Sequence, residues 1–170
     1  MSPRVFIRQP VIKDWQELVV LHQKSKEFHF PWVFPALTEL DCKNYIRRCQ
    51  QEDFRGLLIC NEDNRKIVGV ANLSQIIYGS FDNAFLGYYV SVEYACQGLM
   101  LEGIYLAIDH AFHHINLHRI EANIQPTNLP SIKLVQRLGF TKEGFSRRYL
   151  KINNKWCDHE RWALTVEDWP

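Results

Sequence analysis

The chain has 170 residues, 46% of them hydrophobic, which suits a single domain over residues 1–170 with a proper core. Charged residues make up 23% and the net charge is +1 without a basic run, so neither a disordered protein nor one that coats nucleic acid is expected. No apolar run reaches the ~20 residues of a membrane span, and Met1–Arg8 lacks the apolar block of an export signal. Five cysteines without close pairing then read as reduced thiols, and the expected location is the cytoplasm.

In chain order, Val5–Gln9 reads as a strand, and 11–28 as a helix with a buried stripe at Trp15, Leu18, Val19 and His22. Phe28-His29-Phe30-Pro31-Trp32-Val33-Phe34-Pro35 carries two prolines, which exclude a regular helix, and too many aromatics for an ordinary solvated loop. Thr38 with Asp41 resembles a capping box for a helix reaching about Gln51. Phe54–Cys60 and 66–77 read as strands around the turn Asn61–Arg65, and Phe85–Val92 as another. A long helix follows, with Leu101, Ile104, Tyr105, Ile108, Phe112 and Ile115 predicted to face a sheet. Next come the strand 119–125, a short helix capped by Asn128 or Ser131 and stopped at Gly139, and strands 140–152 and 155–165 around Asn153-Asn154. This order predicts an α/β domain: a mixed six- to seven-stranded sheet with helices on both faces.

Two constellations carry chemistry. Ala95-Cys96-Gln97-Gly98-Leu99-Met100 joins an apolar strand to the long helix, whose first amides favour an anion, above all phosphate. About thirty residues later stands Asn128-x-x-Ser131, then Leu138-Gly139-Phe140. His110 and His114 lie four apart on a helix, but Ala111 occupies the place of the glutamate of a zinc motif, so no metal is expected.

The turn, the spacing to Asn128-x-x-Ser131 and Leu138-Gly139-Phe140 resemble the acetyl-CoA-binding core of the GNAT acetyltransferases. The usual turn reads Gln or Arg, two residues, Gly, one residue, then Gly or Ala. Here only Gly98 matches strictly, with Ala95 and Met100 departing. The hairpin Gly144–His159 with Asn153-Asn154-Lys155-Trp156-Cys157-Asp158-His159, together with Gln97–Glu102 and Phe30-Pro31-Trp32, is similar to the RimJ/RimL branch.

That resemblance implies acetyl-CoA as cosubstrate and a protein N-terminus as partner, above all a ribosomal protein starting with alanine, as in small-subunit protein S5. It implies cofactor contacts from the amides of Val90, Val92, Gln97, Gly98, Leu99 and Met100, with Asn128 on the pantetheine arm. Ser131 would serve as the acid at the leaving sulfur, because Val135 stands where many members carry a tyrosine. Glu121, on the strand beside the thioester, is the favoured base among several carboxylates, and Trp32, Phe34 and Tyr149 are candidates for the acceptor wall. A polyamine or aminoglycoside acceptor, a catalytically silent CoA-binding module, and a monomeric or homodimeric state are the readings left open.

Overall fold

In the computed structural model, which describes residues 3–170, β1 spans Val5–Arg8, β2 Phe54–Asn61, β3 Ile67–Ile77 and β4 Asn83–Val90. β5 spans Arg119–Ile124, β6 Thr141–Ile152 and β7 Lys155–Thr165. Among the described residues they form one mixed sheet, ordered β1-β2-β3-β4-β5-β7-β6, with β4 and β5 its parallel pair. Asn153 and Asn154 close the last hairpin with φ of 47° and 63°. Two left-handed residues in a row make the turn whose twist matches the flanking strands.

The described residues also form four α-helices: α1 Trp15–His29, α2 Glu39–Arg48, α3 Leu99–His113 and α4 Leu129–Arg137. The α1 stripe of Leu18 and Leu21 packs with Cys42 and Ile46 of α2 against Leu58, Val70 and Tyr89 on one face of the sheet. On the other face Ile104, Ala107 and Ile108 of α3 and Val135 of α4 meet Ile59, Val68, Ala84 and Ile120. Each such large side chain, fully buried, contributes about 2 kcal/mol through water exclusion. Gly103 lets α3 approach the sheet closely, since a Cβ there would lie 2.4 Å from Ile59. Thr38 caps α2 as its sequence suggests, its Oγ1 accepting from Asp41 N at 3.2 Å.

Three details depart from the sequence reading. β4 ends at Val90 instead of Val92, because Ser91 Oγ accepts from Glu93 N at 3.3 Å and opens a short 3-10 turn, Val92–Tyr94. α1 starts at Trp15 after a 3-10 turn, Ile12–Asp14, and ends at His29. Tyr105 leaves the α3 stripe and packs at a tilt against Trp169, ring centroids 4.6 Å apart, a partner far off in the sequence.

Candidate active site

The site begins where the sheet splits. β4 and β5 pair only over Asn83–Phe85 and Arg119–Glu121, among the described residues, and then diverge. Ser91 N donates to Val68 O at 2.8 Å, toward β3. Backbone groups alternate along a strand, so the amides of Tyr88 and Val90 point the opposite way, into the gap. There the Val90 carbonyl accepts from His29 Nε2 at 2.7 Å. The rest of this edge is open to an extended, amide-bearing chain such as pantetheine, which would add to it as a further strand. A cavity of about 540 Å³ occupies the gap and its approaches.

At one end of the cavity lies the turn into α3. Cys96 and Gly98 have φ of 60° and 76°, and Gly98 stands at the N-cap of α3. No side chain caps this helix. Its first amides are therefore left to an outside anion, and phosphate is the natural fit. Arg4 pins the turn from behind, donating to Gln97 O at 3.2 Å and to Glu102 Oε1 at 2.7 Å. That ion pair offsets the repulsion Glu102 would exert on a phosphate in the first turn. Lys133 and Arg137, four apart on α4, reach the same cavity and bring two positive charges that the sequence reading did not single out.

Of the expected cofactor contacts, Val90, Gly98, Met100, Asn128 and Ser131 line the cavity. Val92 does not fit the expectation: its N–H donates to Ser25 Oγ at 3.0 Å, bracing the 3-10 turn against α1. Gln97 lies on the outer side of the turn, its Nε2 bonded to Glu93 O at 3.0 Å, and contributes no side chain to the wall. Leu99 buries its side chain in the core and keeps only a backbone amide for the anion.

At the middle of the gap stand two hydroxyls. Asn128 caps α4, its Oδ1 accepting from Ser131 N at 3.4 Å. Ser131 Oγ then lies 2.6 Å from Tyr88 Oη, which also reaches the Ser131 carbonyl at 3.2 Å. Tyr88 crosses from β4 to α4 and so spans the opening between the strands. Burial pushes its phenol up to about 12, while the Ser131 bond pulls in the other direction. The phenol therefore stays protonated and able to donate near neutral pH. Val135 itself is fully buried, so the second hydroxyl beside Ser131 comes from another element.

Other residues line the cavity from the opposite face of the split. Trp32, His29, Asn123 and His159 reach the cavity there. Beneath them Tyr89 donates to His22 Nε2 at 2.8 Å, and His22 Nδ1–H donates to Ala36 O. Burial lowers the His22 pKa to about 4, so this floor is neutral. Phe34 and Tyr149 fall outside the wall. Phe34 packs edge-on against Phe30 at 6.1 Å, and Tyr149 sits behind His159 at 6.3 Å. Glu121 is also absent from the wall: it accepts from Arg119 Nε at 2.8 Å, and Arg119 continues to Glu143. Strand pairing closes the sheet at Glu121, short of the gap, so the expected base is a structural ion-pair partner. No Asp or Glu lines the cavity among the described residues.

In sequence and in fold the chain is similar to known proteins. The sequence profile described as "Acetyltransferase (GNAT) domain" covers residues 4–141. The chain is 43% identical to the ribosomal protein uS5-alanine N-acetyltransferase of Escherichia coli, over 99% of this chain and 91% of that protein. Its fold matches the ribosomal-protein-S5-alanine acetyltransferase of Vibrio fischeri with a TM-score of 0.88 and 26% identity, over 100% and 97% of the two chains. Mycobacterium smegmatis RimJ, solved in complex with CoA-disulfide, gives a TM-score of 0.88 at 24% identity, over 98% of this chain and 84% of that one. With acetyl-CoA as its cosubstrate, this chain belongs to the GNAT family of N-acetyltransferases.

Proposed function

We propose that the enzyme acetylates the N-terminal α-amine of a protein, with a ribosomal protein beginning with alanine as the acceptor class. One observation carries the choice: the acceptor side of the cavity is aromatic and imidazole-lined, with no carboxylate. A polyamine or aminoglycoside brings several positive charges, and a pocket without an anion offers them nothing in exchange for lost hydration. A single α-amine, with a pKa near 7.7–8.0, enters neutral in roughly a tenth or more of molecules at pH 7. The likeness to the Escherichia coli enzyme supports the same acceptor class. The cysteines, all free thiols, suit the reducing cytoplasm where ribosomes are made.

In this reading the β4 edge aligns the thioester between the strands, and the α3 amides with Lys133 and Arg137 hold the phosphates. The amine approaches from the side of Trp32 and attacks the thioester carbonyl directly. As the C–S bond breaks, Ser131 donates its proton to the sulfur and Tyr88 resupplies Ser131 across their 2.6 Å contact. The test is acetyl-CoA turnover on peptides differing only in the first residue, with spermidine and kanamycin alongside. Turnover of alanine-starting peptides is expected; activity confined to the polycations would refute the proposal.

A further inference from the structure

Amide formation releases a proton at nitrogen, and the two hydroxyls at the sulfur are donors already committed elsewhere. Something else must accept it. With no carboxylate on the wall, two histidines on the acceptor side are the candidates, His29 and His159. Each is held in one tautomer by a carbonyl. His29 gives its Nε2–H to Val90 and leaves Nδ1 buried without a partner, edge-on to Tyr89. A proton accepted there would have no path to water.

His159 differs in the one respect that matters. Its Nδ1–H donates to the Cys157 carbonyl at 2.9 Å, so the lone pair of the neutral ring resides on Nε2. The residue is 3% exposed, yet Nε2 is not among the buried atoms lacking partners; it opens on the cavity. Tyr149 packs against the ring at an interplanar angle of 61° and restrains its orientation. The β5–β7 register pairs Asn123 with Arg161 and Ile124 with Glu160. His159 therefore stands one step beyond the last β5 pair, on the same face as Asn123, where β5 turns toward Asn128 and Ser131.

We propose that His159 Nε2 is the catalytic base that takes the proton from the acceptor nitrogen, an assignment resting on the amine-acetylation reading above. The amine adds to the thioester carbonyl, and the N–H proton passes to Nε2. The C–S bond then breaks, sulfur takes a proton from Ser131, and Ser131 takes one from Tyr88. The imidazolium releases its proton to water, which restores Tyr88, so the products are the amide and the free thiol of CoA. Burial holds His159 below the ordinary histidine range, opposed by the Cys157 carbonyl and by Asp158, which keeps the ring neutral and ready near pH 7. The other charged or titratable neighbours are Tyr149 on β6, Arg161 on β7, His29 of α1, and Lys133 and Arg137 of α4 across the cavity.

Kinetics of His159→Ala and His159→Gln, with CoA affinity measured by calorimetry, test the assignment. Both variants should lose about 100-fold in kcat while binding CoA within about twofold of the parent. Added imidazole should accelerate His159→Ala, the more so the more basic the imidazole used, and leave the parent unchanged. Retention of more than about a third of the parent kcat would overturn the assignment, and so would a loss that no imidazole relieves. If His159→Ala does not fold, His159→Gln decides through its pH profile, which must lose the added fall in rate that the parent shows below the ordinary histidine range, over and above the fall from protonation of the amine itself. Should the parent acetylate spermidine but no peptide, the acceptor reading fails alone, and the same variants test His159 on spermidine.

Discussion

In the proposed mechanism Tyr88 and Ser131, 2.6 Å apart, act as a unit. On that proposal, removing either hydroxyl interrupts the same proton route. Ser131→Ala and Tyr88→Phe should each lower kcat by about 100-fold, with KM for acetyl-CoA changed less than about threefold. The double variant should be no worse than the more damaged single, since shared function makes the losses non-additive. Steady-state rates of the three proteins check this, and multiplicative losses would show two independent roles. The place of Ser131 on the cavity wall was legible because its helix cap and its spacing from Gly98 are written along the chain. Tyr88 was not, because β4 is buried on both faces and hydropathy alone does not say which side a residue takes. Glu121 illustrates the converse. It lies on the expected strand, but its ion pair with Arg119, which Glu143 shares, and the closed end of the strand pair hold it away from the gap.

Among the elements, the strand–turn–helix from β4 to α3 is the one we propose holds the cofactor, through backbone more than through side chains. That is why Ala95 and Met100 can depart from the family pattern while Gly98 does not. Its φ of 76° disfavours any residue with a Cβ, which would also press on Arg4 Nη2 at 3.2 Å. Gly98→Ala should strain the turn by about 1 kcal/mol and raise KM for acetyl-CoA roughly fivefold, with kcat at saturation nearly unchanged. An unaltered KM would mean that the turn does not hold the phosphates. Periodicity announced α3 because it buries a regular stripe, whereas β2 and β3 showed as apolar runs on either side of the polar turn Asn61–Arg65. Periodicity missed the exit of Tyr105 and the early end of β4, since these depend on Trp169 and on the Ser91 hydroxyl, contacts made in space.

For the whole molecule, buried neutral histidines link stability to pH. His22 falls from 6.5 to about 4 on folding because burial penalises its charged form. Above pH 6.5 the ring is neutral in both states and costs nothing. As pH falls below 6.5 the unfolded chain takes up the proton first, so stability drops until the folded value near 4 is passed. That single group accounts for about 3 kcal/mol over this window. Thermal melts between pH 7.5 and 4.5 should show the decline, shallower in His22→Gln, and a flat profile would contradict the buried neutral ring.

The central claim is that the cleft delivers an acetyl group to an α-amine. It is met most directly by giving the enzyme acetyl-CoA and an alanine-starting peptide that also contains an internal lysine, and locating the product by fragment mass spectrometry. Acetyl on the N-terminal nitrogen alone is the predicted result; acetyl on the lysine side chain, with the terminus untouched, would contradict it.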